Sequence, residues 1–231
     1  ANISFHPLNQ FYQNLSETLP PVDLINLYMI SGSNMVLHNS IEALEISRNT
    51  NSKLHFAQNA PAAGIPVPAT KIYKKSELAS GHASHFFKKN KDGLMVKLLG
   101  LAGARNVFTA SNVEECLSIV EEYEGNQDVL LQEIIDTKRF EEMTVDLTIT
   151  PDEITISNVR KILFAGDKWV GNFISHELLL TDSHREQLIN VGRYARNQGH
   201  VAKEGTNCGI DYFVAGEEVI VTEINARWTG G

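Results

Sequence analysis

Residues 205–227 read GTNCGIDYFVAGEEVIVTEINAR, two apolar strands turning near Gly216, and the polar residues set into them decide how the chain folds. Side chains at i, i+2 and i+4 of a strand share one face, so Glu223, Asn225 and Arg227 are expected to point the same way, alongside Val219 and Val221. If the hairpin pairs about Glu217, Asp211 stands opposite Glu223 and joins that face. Two carboxylates and an amide oxygen converging from neighbouring strands are hard ligands suited to Mg2+, whose other positions go to water and phosphate oxygens. Arg227, beyond them, can grip a phosphoryl oxygen through a two-pronged hydrogen bond. The competing reading is an edge hairpin with a solvated polar face.

The 231 residues, 42% of them hydrophobic, suffice for one large domain or two small ones around a sizeable core. A net charge of −8 argues against duplex nucleic acid or an anionic membrane as partner, while leaving room for a local basic pocket that takes a phosphate. Cys116 and Cys208 are far apart and lack His/Cys ligand spacing, which points away from disulfides and zinc and toward a reducing, cytoplasmic setting. No apolar run is long enough for a membrane span, and ANISFHPL lacks the pattern of a signal peptide. The absence of an initiator Met suggests a fragment or a processed start.

Working outward from the hairpin, DLINLYMI (23–30) reads as a strand and NMVLHNSIEALEISRN (34–49) as an amphipathic helix. Asn51 or Ser52 is placed to cap a helix from Lys53 that Pro61 and Gly64 end, before the extended IPVPATKIY. GLMVKLL (93–99) and NVFTA (106–110) read as strands joined by GLAGAR; Ser111 and Glu114 as a capping box for a helix through Glu124; DVLLQEII (128–135) as a further strand. From Met143 onward antiparallel strands are expected, turning at Pro151-Asp152 and Gly166-Asp167, then a helix capped by Ser183 and Glu186 and ended by Gly199. Parallel-type crossovers in the first half and an antiparallel sheet in the second give an α+β protein whose two lobes meet near residue 133, the default place for a ligand. His82 and His85 share a helix face in this reading, with no carboxylate at ligand spacing, so no metal is assigned there.

Lys97 stands inside LMVKLL, where an ammonium is costly unless it snorkels to water or meets an anion, and phosphate is the natural anion. Gly100 and Gly103 follow at once, with no Cβ to keep backbone N–H groups from phosphate oxygens. Lys53 offers a second cation at a helix start, and Gln132, Glu133 and Glu141 or Glu142 offer acceptors for adenine N6 and ribose hydroxyls. Of Arg160 and Lys161, adjacent in a strand, one must face inward and can reach the same phosphates.

Taken in order, SKLHFAQNAPAAGIPVPAT, GLMVKLLGLAGARNV, VLLQEII and GTNCGIDYFV…VIVTEINAR resemble the ATP-binding region of the ATP-grasp superfamily over about residues 50–231. That resemblance implies an ATP-grasp fold, two α+β subdomains (51–133 and 134–231) clasping ATP after a short α/β segment (1–50), with both ends incomplete. It implies Asp211, Glu223 and Asn225 as ligands of Mg2+ or Mn2+, Lys53 and Lys97 at the nucleotide phosphates, and Glu133, with its neighbour Ile135, and Glu142 at hinge and ribose. It further implies a carboxylate–amine ligase, with Arg227, Lys97 and Lys161 as catalytic cations, small-molecule acid and amine substrates and room for a homodimer. A phosphotransferase, a carboxylase or a nucleotide-binding module without turnover are the rivals.

Overall fold

The computed structural model describes residues 41–99, 106–122, 128–166, 168–175 and 178–227. The expected strand at 23–30 and the glycine loop with Gly100 and Gly103 lie outside those residues. Strands β1 (Thr70–Lys74), β2 (Leu94–Leu98), β3 (Val107–Ala110) and β4 (Asp128–Glu133) form one sheet in the order β1-β4-β2-β3. Strands β5 (Glu141–Ile149), β6 (Ile154–Ala165), β7 (Lys168–Phe173), β8 (Thr206–Ala215) and β9 (Glu218–Asn225) form a second in the order β7-β6-β5-β8-β9. The architecture is α+β.

Every ladder in the first sheet is antiparallel, which corrects the parallel character expected of this half. β1 and β2 both run antiparallel to β4, so they are parallel to each other with β4 inserted between them; β3 and β4 are split in the same way by β2. The crossovers are present, and each leaves a gap that another strand fills.

Helices α1 (Ile41–Asn51) and α2 (Lys53–Asn59) lie against β9, and Phe56 of α2 joins the core of the second sheet with Ala60 and Ile65. The short helices α3 (Lys75–Ala79) and α4 (Ser84–Lys89) bring Leu78, Phe86 and Phe87 to the first sheet, where α5 (Val113–Glu121) adds Cys116 and Val120. Helix α6 (Asp182–Asn197) covers the second sheet with Leu188, Val191, Tyr194 and Ala195. Ser52 caps α2 by accepting from the His55 N–H at 3.2 Å. The cap of α5 is Asn112 rather than Ser111: its side chain accepts from the Glu115 N–H at 2.8 Å, and Glu115 accepts from the Ser111 N–H at 2.7 Å. The cap of α6 is Thr181, two residues before the expected Ser183. In both cases the residue with extended backbone next to the first helical turn takes the role. His82 sits in the turn before α4, so it shares no helix with His85.

The hairpin β8–β9 carries the detail on which the site depends. Near its turn, Ala215 pairs with Glu218 and Tyr212 with Val221, a register centred between Gly216 and Glu217. Between Asp211 and Tyr212 the register slips by one, so Asp211 pairs with Glu223 and Thr222 is the extra residue of a β-bulge. Val219, Val221, Ile224 and Ala226 all enter the core, and the parity of the strand changes across Thr222. Glu223 and Asn225 therefore leave the face of Val219 and Val221, contrary to the plain alternation expected from sequence. Without the bulge both polar side chains would point into the apolar core.

Deleting Thr222 removes the extra residue and leaves Val219, Val221, Ile224 and Ala226 in regular alternation, so Glu223 and Asn225 should stay on the opposite face and a cooperative transition in urea should be retained. Thr222→Ala keeps the bulge, loses only the 3.1 Å bond from its hydroxyl to the Asp211 carbonyl, and should cost about 1 kcal/mol. Loss of a cooperative transition in the deletion variant would show that Thr222 is not the extra residue that sets the register.

Candidate active site

Four strands of the second sheet hold one polar row. Arg160 (β6) pairs with Thr144 (β5), Thr144 with Asp211 (β8), and Asp211 with Glu223 (β9). One step along, Asp146 pairs with Gly209 and Gly209 with Asn225. Directly opposed residues share a face, so Asp146, Arg160, Asp211, Glu223 and Asn225 stand on the surface away from the α6 core. Asn225 donates to Asp211 Oδ2 at 3.0 Å, and Arg227 donates to the Asn225 side-chain oxygen and, at 3.0 Å, to Asn51 Oδ1 of α1. Lys53, at the start of α2, is ion-paired with Glu223.

The first sheet faces this row with Lys97. Lys97 pairs with Leu130 and lies on the sheet face opposite Val96 and Leu98, which enter the core. It is 9% exposed. Burial, with Lys53 nearby, lowers its pKa to about 8, against the pull of Glu223, Asp211 and Glu142. Asp211 moves the other way, pushed up to about 6 by burial and the Glu223 charge despite a hydrogen bond from Thr144. Glu142 is raised by burial and by Asp211. These directions describe carboxylates crowded where water is scarce, with cations drawn in around them.

The structure separates residues that the sequence left as alternatives. Glu142 lies on the cleft face, whereas Glu141 is on the other face and accepts from Lys161 at 2.7 Å. Lys161, opposite the core residue Met143, is on that other face too, so the expectation that it is a catalytic cation is corrected: the inward residue of the pair is Arg160. Arg160 is only 1% exposed and donates to Asp146 Oδ2 at 2.6 Å. Gln132 shares the face of Lys97 and donates to Thr70 Oγ1 at 2.8 Å. Glu133 pairs with Leu94, which turns its carboxylate away from Lys97, and Ile135 follows beyond the strand end, half-buried.

Asp146 is the site residue that sequence reasoning missed. Its signal was present: a carboxylate alternating with Val145 and Leu147 in a core strand needs a partner, and Arg160 lies across the next turn. Cys208 is buried, with its thiol pushed up to about 12, and so offers no nucleophile to the cleft. A crevice of about 10 Å³ lies between Lys53, Lys97, Gln132 and Thr222, while a larger cavity of about 780 Å³ lies outside the cleft. Convergent charge, not volume, marks the candidate site.

No family model and no curated protein matches the chain in sequence. Solved structures do match in fold. The chain is similar to carboxyaminoimidazole ribonucleotide synthase from Aspergillus clavatus complexed with ATP, at TM-score 0.64 and 14% identity over 81% of this chain and 47% of that one. It is similar to D-alanyl-alanine synthetase A from Vibrio cholerae, at TM-score 0.62 and 15% identity over 78% and 56%. D-alanine-D-alanine ligase from Coxiella burnetii is similar at TM-score 0.60 and 17% identity, over 79% and 49%. The chain thus spans about half the length of these structures.

Lys97→Met should raise the melting temperature of the ligand-free protein at pH 7, because a buried ammonium whose pKa falls from 10.5 to about 8 carries a cost on the order of 3 kcal/mol. A lysine pKa lowered by folding imposes that cost in full below about 8 and releases it as pH climbs toward the ordinary value of 10.5. Melting curves of the two proteins should therefore converge between pH 8 and 10. A gap that is constant with pH would contradict this environment for Lys97.

Proposed function

From the ATP-grasp fold that these likenesses share, we propose that the chain binds ATP with a divalent cation and joins a carboxylate to an amine, releasing ADP and phosphate. The observation that carries this reading is the polar row: Asp211, Glu223 and Asn225 on one sheet face, with Arg227 beside them and Lys97 opposite. Among the described residues no three His, Cys, Asp or Glu side chains form a metal cluster, but two carboxylates and an amide oxygen fit Mg2+ or Mn2+, which keeps sites for water and phosphate oxygens. The crowding that raises Asp211 supports the same fit, since a cation there relieves it. Once bound, the ion supplies charge neutralisation at the phosphates.

In this reading Lys53 and Lys97 hold the nucleotide phosphates, and Lys53 exchanges Glu223 for phosphate oxygens when ATP arrives. Gln132, Glu133 and Ile135 form the adenine hinge, Glu142 receives the ribose hydroxyls, and Gly100 and Gly103 cover the phosphates. Residues 51–133 and 134–231 supply the two jaws. A carboxylate oxygen of the acid attacks the γ-phosphorus, the bond to the β-phosphate oxygen breaks, and ADP leaves. The amine then attacks the acyl carbon, and the carbon–oxygen bond to the phosphoryl group breaks, releasing phosphate and a proton. Arg227 and Lys97 stabilise the charge on the transferred group, and Arg160 adds positive potential from the floor, so catalysis is positioning and electrostatics. The substrates are small molecules, a homodimer is compatible, and two buried free cysteines favour a reducing, cytoplasmic setting.

With ATP, Mg2+ and pooled amino acids, the protein should form ADP, and hydroxylamine in place of the amine should give a hydroxamate. Glu223→Gln should lower turnover by roughly 100-fold or more while keeping the fold. AMP and pyrophosphate would indicate adenylation, a stable phosphorylated product a phosphotransferase, and ATP binding without turnover a binding module; each contradicts the ligase.

A further inference from the structure

The cavity of about 780 Å³ has chemistry of its own. Its floor is Pro66, Val67 and Pro68, the extended run between α2 and β1, and Phe86 of α4 forms a wall. Around it stand Lys71 from β1 and His85 and Lys89 from α4, the last two one helical turn apart on the same face. Lys71 Nζ sits 5.4 Å from the centre of the Phe86 ring. Among the described residues no Asp or Glu lines the cavity, and their ion pairs all involve other cations. In a chain of net charge −8, a concavity lined by Lys71, His85 and Lys89 is a local exception.

The cavity is close to the polar cleft yet distinct from it. Ala57, Val67 and Thr70 line both it and the crevice that holds Lys53 and Lys97, so a single layer of residues separates the two. Thr70 is fixed by Gln132, and the Pro66 carbonyl accepts from the Val221 N–H at 2.7 Å, which ties the partition to the strand that carries the bulge. Lys71 and Lys97 consequently belong to different compartments.

We propose that this cavity is a second ligand site, taking a small organic phosphate. Lys71, His85 and Lys89 supply donors from two elements to the phosphoryl oxygens, and two lysines match a dianion better than a carboxylate's single charge. The exposed Pro61 and the partly exposed Pro66 and Val67 receive the apolar body, in a volume typical of small-molecule sites. The proposal does not depend on ATP chemistry in the cleft.

Phenyl phosphate is the probe, titrated calorimetrically into the full chain without nucleotide. Saturable binding is expected, weakened at least tenfold in Lys71→Gln/Lys89→Gln and unchanged in Lys97→Met. Phosphate-dependent shifts of the His85 ring resonances should accompany it, and benzoate should bind at least tenfold more weakly. ATP should raise the melting temperature of the double variant as it does that of the unaltered chain, which separates this site from the cleft. Absence of saturable binding, loss of binding in Lys97→Met alone, retention of full affinity in the double variant, or equal binding of benzoate would overturn the proposal.

Discussion

One extra residue in β9 governs the arrangement of charge in this protein. Thr222 lets Val219, Val221, Ile224 and Ala226 all reach the core although their spacing breaks the alternation of a regular strand. It thereby delivers Glu223 and Asn225 to the opposite face, level with Asp211 and Gly209. A bulge locally disrupts the ladder, and here the hydroxyl of Thr222 bonds the Asp211 carbonyl next to it. The helices before the first sheet complete the fixture. Asn51 of α1 donates to the Ala226 carbonyl at 3.1 Å and accepts from Arg227, while Lys53 of α2 meets Glu223.

The cleft is balanced within itself. Lys53, Lys97, Arg160 and Arg227 face Glu142, Asp146, Asp211 and Glu223, so positive and negative groups are equal in number among these described residues. Their roles differ with burial. The Arg160–Asp146 pair is shut in, and desolvation there roughly offsets attraction, so its effect is to fix a guanidinium beneath the polar row rather than to add stability. Lys53 and Glu223 remain partly exposed and can part. Lys97 and Asp211 lie between these extremes, each pushed toward its neutral form in the absence of a ligand.

Much of this was legible in the sequence because turns and acid spacing are local properties. The hairpin, its turn at Gly216 and the pairing of Asp211 with Glu223 could be read from residue types alone, although the pairing arises through the bulge and not through a turn centred on Glu217. The bulge itself was hidden, since Thr222 is an unremarkable strand residue and parity is decided by what the core accepts. The strand insertions that make the first sheet antiparallel are long-range pairings with no local signature. Asp146 went unread although a carboxylate between Val145 and Leu147 asks for a partner, and the β5–β6 register identifies that partner as Arg160. Helix caps were misread by one or two residues because several capping residue types stand side by side at Ser111-Asn112 and Thr181-Asp182-Ser183.

We propose that the bulge assembles one divalent-cation site from β8 and β9. A crystal of the chain with Mn2+ and a non-hydrolysable ATP analogue, measured at an anomalous wavelength for manganese, tests it directly. Manganese density is expected within about 2.5 Å of carboxylate oxygens of both Asp211 and Glu223, with Asn225 in the same coordination group and phosphate oxygens completing it. Manganese bound elsewhere, or an analogue seated in the cleft with Asp211 and Glu223 turned to different partners, would contradict it.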